Sequence, residues 1–480
     1  MSKAYILAID IGTTSTKAIA FDDLGNMLQK QQMGYPTFSP SANFQEQSPV
    51  LIYKAVMSAA AAIIQLMNCP PQGIIFSAAM HSVIAVDEQG NPLTHSIIWA
   101  DGRSQDYANQ LRTTDLGKKI YHETGTPIHA MSPLCKIAWL RDHQPDIFHA
   151  AFKFISIKEW IMYQWFGQYW VDYSIASATG LFDIRQLIWH QDALAYCGID
   201  ATKLSQLVPT DFICSPMRVE VAYELGISSD LPVVIGASDG CLANLGEQVL
   251  DSSKMVISIG TSAALRITHH LPIEDPTLTL FNYLLDKDHY IVGGPSNSGG
   301  AIHEWFEETI GLNADTHEQA QALLPSVENP IFLPYLLGER APLWNAQAKG
   351  AFLGLTKKHQ KAHLYRAMLE GIIFNLYAIS DSLKAHLPTN FIIYANGGFT
   401  QNELAMQLLA DIFGTTVHLQ DHEEGTSRGA ALLGWKALST ISDWQNIKAP
   451  NSRQIIHPDL SHQHTYQHIF NIWKRVGELL

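Results

Sequence analysis

The chain opens on an uninterrupted apolar run, Ala4-Tyr5-Ile6-Leu7-Ala8-Ile9. It is too short for a stable helix and matches a strand buried on both faces. The same pattern predicts strands over 18–21, 73–78, 82–86, 233–236, 255–259 and 391–394. Elsewhere the apolar period lengthens to that of a helix, over 50–67, 157–164, 240–246, 404–413 and 466–480. The alanine-rich stretch 59–64 is too short alone to span a bilayer and reads as part of a core-facing helix. Asp22-Asp23-Leu24-Gly25-Asn26 and Asp87-Glu88-Gln89-Gly90-Asn91-Pro92 are turn sequences. Residues 350–355 read as a hairpin before a capped helix. Strands alternating with helices predict an α/β fold. No Pro/Ser-rich linker interrupts the pattern. The expected boundary is a short hinge near Gly246, dividing the chain into units 1–246 and 247–480.

A length of 480 residues accommodates two or three domains at roughly 100–200 residues each, and 47% hydrophobic residues can fill their cores. The net charge of −14 argues against a nucleic-acid partner, which needs a basic face. Five scattered cysteines, Cys69, Cys135, Cys197, Cys214 and Cys241, exclude a simple disulfide framework and the usual structural zinc spacings. They read as reduced thiols of a cytoplasmic protein. The 21 histidines form no HExxH-like cluster. Met1-Ser2-Lys3 leads straight toward a strand, which predicts no secretory signal, and no membrane partner is expected.

The first strand runs into Asp10-Ile11-Gly12-Thr13-Thr14-Ser15-Thr16-Lys17. Glycine lets backbone approach a phosphate closely, and the amides and hydroxyls that follow can donate to its oxygens. Asp10 is placed to hold hydrated Mg²⁺ against them, and Lys17 adds positive charge. A hairpin with a merely polar turn would look the same. Half a chain later Val256-Ile257-Ser258-Ile259-Gly260-Thr261-Ser262-Ala263 repeats the pattern. Aligned on the glycines, Asp10 falls opposite Ser258, so only the first turn brings a carboxylate. Duplication at a long period is a fold-level signal. The layout resembles the actin/hexokinase-like ATPases, in which two similar α/β domains close on a nucleotide.

Two further junctions carry chemistry. In Gly236-Ala237-Ser238-Asp239-Gly240 an acid ends a strand and opens a helix. Asp239 is either a helix cap or the base that accepts the proton of a hydroxyl during phosphoryl transfer. In Ala395-Asn396-Gly397-Gly398-Phe399-Thr400-Gln401-Asn402 paired glycines leave room for a flat base. Asn402 either bonds the nucleotide or caps the next helix.

Met131-Ser132-Pro133-Leu134-Cys135-Lys136-Ile137-Ala138-Trp139-Leu140 and the stretch from Gly350-Ala351-Phe352-Leu353-Gly354-Leu355 to Glu370-Gly371 match both signature patterns of the FGGY carbohydrate kinases. With the phosphate turns, Asp239 and Gly397-Gly398, the chain resembles that family over about residues 4–440. The resemblance implies two ribonuclease-H-like domains flanking a catalytic cleft and closing on their substrates. It implies ATP and Mg²⁺, a small-molecule sugar or sugar-acid substrate, and Asp239 as base. Gly12, Thr13, Thr14, Lys17, Gly260 and Thr261 would cradle the phosphates, with Gly397, Gly398 and Asn402 beside the adenosine. A homodimer is compatible with it.

The family places sugar contacts at Met80, His81, Trp99, Asp101, Arg103 and Asp239. The bland alternative makes Trp99 core and Asp101–Arg103 a local ion pair. The His81-Ser82 pair and Ala237-Ser238-Asp239 resemble the gluconate-phosphorylating branch, although xylulose-type kinases share the Met-His pair and Trp-x-Asp-x-Arg. A gluconate carboxylate calls for a cation, for which His81, Arg103, Lys136 and Arg340 are candidates. A xylulose- or ribulose-type kinase and a catalytically silent nucleotide sensor are the competing readings. Retention of Asp10 and Asp239 argues against the sensor.

Overall fold

A computed structural model describes residues 4–420, 424–444, 447 and 449–477. The expectations about residues 1–3 and about the end of the last helix, 478–480, lie outside them.

The first sheet comprises β1 (Ile6–Ile11), β2 (Ser15–Phe21), β3 (Met27–Gly34), β4 (Gly73–Ala78), β5 (Ile213–Cys214) and β6 (Val233–Ser238), in the order β5-β6-β4-β1-β2-β3. The second comprises β7 (Lys254–Ile259), β8 (Ala263–His269), β9 (Phe281–Asp286), β10 (His289–Ser296), β11 (Ile392–Asn396), β12 (Val417–Gln420) and β13 (Ser452–Ile456), in the order β9-β10-β8-β7-β11-β12-β13. The shared core of both sheets is one antiparallel hairpin with a parallel strand alongside. β1 pairs antiparallel with β2 and parallel with β4. β7 pairs antiparallel with β8 and parallel with β11. The central strands are apolar without alternation because helices cover both faces. The outer strand β3 alternates in exposure.

The helices used below are α1 (Pro49–Met67), α2 (Pro133–His143), α3 (Ile157–Phe166), α4 (Asp239–Gly246), α5 (Gly300–Ile310), α6 (Lys361–Asp381), α7 (Glu403–Phe413), α8 (Gly425–Ala437) and α9 (Gln463–Gly477). Ser48 caps α1 by accepting from the Leu51 amide, Pro49 fits its first turn, and Asn68 ends it in a left-handed conformation. With 19 residues and mean hydropathy 1.8, α1 is long and apolar enough to cross a membrane. Its buried face, including Ile52, Val56, Ala60 and Ile63, packs instead against the first sheet. The expected hairpin at 350–355 does not form. Gly354 takes a left-handed φ of 75° and ends the strand Ala351–Leu353, which pairs with Ile331–Leu333 upstream.

The chain crosses between the sheets twice. α4 leaves the first sheet, and α8 returns to lie on β1, β4 and β6. The helices touch backbone to backbone. A Cβ on Gly246 would stand 1.9 Å from the Gly425 carbonyl oxygen, and one on Gly429 would stand 2.0 Å from that of Leu242. Only glycine permits that approach. Glu424, just before α8, is ion-paired with Lys17 at 3.0 Å and Lys30 at 2.5 Å.

Candidate active site

The two hairpin turns are closed alike, by a glycine amide on a later carbonyl, but the second is one residue shorter. In the first, the Gly12 amide donates to the Ser15 carbonyl at 3.0 Å; in the second, the Gly260 amide donates to that of Ser262 at 2.9 Å. Thr14, Gly260 and Thr261 are exposed at the tips. Asp10 precedes the first turn, and Ser77 on β4 donates to its Oδ1 at 2.7 Å. Burial raises the Asp10 pKa, while Ser77 and then Lys17 oppose the rise. Ser258 and Asn396 take the places of Asp10 and Ser77 in the second sheet. Lys17 lies directly across from Asp10. Its ammonium, expected to face phosphate, is held by Glu424 because that carboxylate enters from the α8 crossing.

Asp239 is the first residue of α4, and the cap position belongs to Ser238, whose hydroxyl bonds Ser174 instead. Asp239 Oδ1 accepts from the Gly240 amide at 2.7 Å, which orients the carboxylate. Burial, and after it the negative charge of Asp10, pushes the Asp239 pKa up to about 6; the Gly240 amide and Arg266 oppose this. The two acids from separate elements therefore share one field. Among the described residues no group of three or more His, Cys, Asp or Glu side chains gathers as a metal cage. One or two carboxylates completed by water and phosphate oxygens is the donor set Mg²⁺ commonly uses, so Asp10 fits that role.

A cavity of about 260 Å³ lies against these groups. Its lining brings together Thr13, Met80, His81, Trp99, Asp239 and Gly260 from the sequence expectations. Trp99 Nε1 donates to Thr13 Oγ1 at 2.9 Å, which ties the sugar wall to the first phosphate turn. His81 has a left-handed φ of 70°. Its Nδ1 lies 2.7 Å from the Ala178 carbonyl oxygen, so the proton sits there and Nε2 faces Tyr283 at 3.5 Å. Burial, then the Lys136 charge, lowers the His81 pKa to about 3. It is a neutral side chain, not the cation considered for a carboxylate.

Asp101 and Arg103, expected as sugar contacts, are placed elsewhere. They do not line this cavity. Arg103 Nη2 pairs with Asp101 at 2.8 Å and with Glu46 at 2.6 Å, and its guanidinium lies 3.9 Å from the Phe44 ring. Two-residue spacing lets the guanidinium fold back on its neighbour, and the pair braces the loop that carries Trp99. Lys136 is likewise buried away from the cavity. Its ammonium donates to the carbonyls of His81 at 2.6 Å, Ile98 at 2.8 Å and Ile97 at 3.2 Å. It clamps the Met80-His81 loop to the Trp99 loop, while burial pulls its pKa down to about 7. Lys136→Met keeps the volume but leaves the His81 carbonyl without its donor and takes one donor from Ile97 and Ile98, which keep the amides of Val83 and Asp101. Urea unfolding of the variant should show a loss of about 2 kcal/mol, and unchanged stability would remove the clamp.

Sequence reasoning missed Arg266 and Tyr283, both lining the cavity. A signal for Arg266 was present: a lone charge within the apolar strand Ala263–His269.

On the other side of the second turn, Gly397 adopts φ 96°, and a Cβ there would stand 2.4 Å from the Ile259 carbonyl oxygen. Glycine is required by both conformation and contact. Gly397 and Gly398 line a cavity of about 500 Å³ with Ser258 and Asn396. Gly398 and Asn402 line another of about 510 Å³ with Gly300, His303 and Phe399. Asn402 caps α7, its Oδ1 accepting from Ala405 at 2.9 Å, and its Nδ2 donates to the Tyr365 hydroxyl at 2.7 Å. Shared lining residues link the three cavities from Asp239 to Asn402. A further cavity, about 570 Å³, lies along α7 and is lined by none of the expected catalytic or binding residues.

The model of the FGGY family of carbohydrate kinases, N-terminal domain, matches residues 5–246, and that of the C-terminal domain matches 255–438. The chain is 41% identical over 459 residues to a gluconokinase of Bacillus subtilis (strain 168), covering 92% of this chain and 90% of that protein. Two solved structures from Lactobacillus acidophilus, described as a gluconate kinase and a ligand-bound xylulose kinase, each superpose with TM-score 0.95 at 33% identity. Each covers 99% of this chain and 98% of the other.

Proposed function

The chain belongs to the FGGY family of carbohydrate kinases, and from that premise we propose that it transfers the γ-phosphoryl group of ATP to the terminal hydroxyl of D-gluconate, giving 6-phospho-D-gluconate. The observation that carries this reading is the 260 Å³ cavity, which joins Asp239 to both phosphate turns and to two arginines. The chain's 41% identity to a gluconokinase directs the choice of sugar.

Asp239, oriented by the Gly240 amide, accepts the proton of the terminal hydroxyl as its oxygen attacks in line. The glycine amides of Gly12 and Gly260 close the two turns, and the amides and hydroxyls of Thr13, Thr14 and Thr261 reach the phosphate oxygens. Asp10 would hold Mg²⁺, which when bound neutralises phosphate charge. Trp99, Met80 and neutral His81 wall the sugar. Gly397 and Gly398 admit the nucleoside to the cavity bounded by Asn402. Shutting the cleft would keep water from the γ-phosphate.

The likeness to a structure described as a xylulose kinase supports a second reading, phosphorylation of a neutral ketose at the same base. ADP release coupled to NADH oxidation, measured over D-gluconate, D-xylulose, D-ribulose and glycerol, separates them. The highest kcat/KM is expected with gluconate. A higher value with xylulose would overturn the proposed substrate.

A further inference from the structure

We infer that the carboxylate of a sugar acid is seated between the guanidiniums of Arg266 and Arg340, against the Tyr283 hydroxyl, with the carbon chain running from there to Asp239. This rests on the gluconate reading and names the groups that enforce it.

The charges lining the cavity are unequal. Arg266 and Arg340 are its two cations and Asp239 its one acid, and His81 is neutral. Asp239 is engaged with the reacting hydroxyl. Within the lining one positive charge therefore has no acid of its own, and the acid outside it, Glu339, acts on Arg340 through its field without touching the guanidinium.

Arg340 is pre-set for that partner. It is 9% exposed, its Nε donates to Asn297 Oδ1 at 2.8 Å, and its Nη2 donates to the Ser296 carbonyl at 3.0 Å. Its guanidinium lies 5.2 Å from the Trp99 ring. These contacts fix the fork yet are all neutral. Among the described residues no carboxylate lies within 4 Å of it. The adjacent Glu339 is fully occupied elsewhere, accepting from Ser296, Ser298, Asn297, Asn375 and the Arg340 amide. A planar fork held by neutral acceptors is suited to receive a carboxylate.

Arg266 approaches from β8. Its guanidinium packs beside the start of α4, where a Cβ on Gly240 would meet Nε at an ordinary 3.5 Å. Its contact with Ser258 Oγ is long, 3.4 Å, so that contact holds the guanidinium only weakly. Tyr283 lies in the field of both guanidiniums and adds a neutral donor. A neutral polyol of the same length should gain little from this arrangement.

The test compares D-gluconate with D-glucitol, in which a hydroxymethyl group replaces the carboxylate. Each sugar is read as substrate with ATP, and glucitol also as a competitive inhibitor. The proteins are wild type, Arg340→Met, Arg340→Lys, Arg266→Met and Tyr283→Phe, each checked by thermal melting. Loss of one partner of a buried charge pair implies a fall of about 30- to 1000-fold in the gluconate/glucitol preference for the Met variants, with a smaller fall for Arg340→Lys and Tyr283→Phe. A preference unchanged in both Met variants, or gluconate and glucitol weakened equally, would overturn the seat. If Arg340→Met does not fold, Arg266→Met and Tyr283→Phe decide. Wild type that fails to turn over gluconate would instead overturn the substrate reading itself.

Discussion

Replacing Asp239 by Asn is expected to lower kcat by about 10²–10⁴-fold, the usual contribution of a general base, and to leave ATP binding largely intact. The amide keeps the shape and can still accept from Gly240, but it takes no proton from the sugar. With Asp239 as the proposed base, the active form is the carboxylate, whose pKa burial and then Asp10 push up to about 6. Activity should therefore fall as pH drops through that value, about tenfold per unit well below it. The residual turnover of Asp239→Asn should lack this acid limb. Near-normal turnover by the variant, or an unchanged acid limb, would exclude Asp239 as the base.

Asp10→Asn is expected to raise the Mg²⁺ concentration for half-maximal activity by about 10- to 100-fold, the scale of a lost charged contact, with a far smaller change in gluconate affinity. Asparagine retains an acceptor for the Ser77 hydroxyl, so the strand pairing is spared. A second readout separates a metal role from a structural one. The Asp10 charge raises the Asp239 pKa, so its removal should move the acid limb of kcat/KM to lower pH. An unchanged Mg²⁺ requirement together with an unmoved acid limb would make Asp10 structural.

Much of this molecule was legible before any coordinates. Continuous apolar runs marked the central strands, because a strand covered on both faces cannot alternate. The glycine–hydroxyl turns could be found because close approach to phosphate restricts residue choice at adjacent positions, and their repetition exposed the duplication. Asp239 stood out because an acid at the end of a buried strand needs a reason. The hairpin expected at 350–355 failed because a strand's partner is set by tertiary proximity, here Ile331–Leu333.

The same distinction runs through the site. By itself the sequence determined the two sheet cores, their turns and the candidate base, since each depends on neighbours in the chain and on local backbone chemistry. Only the tertiary structure decided which charges meet. It turned Asp101 and Arg103 onto each other, gave Lys17 to Glu424, spent Lys136 on three carbonyls, and left Arg266 and Arg340 facing the cavity. Those pairings join residues distant in the chain. They follow from which strands and loops lie side by side, because electrostatic contact acts over ångströms of space and carries no local pattern.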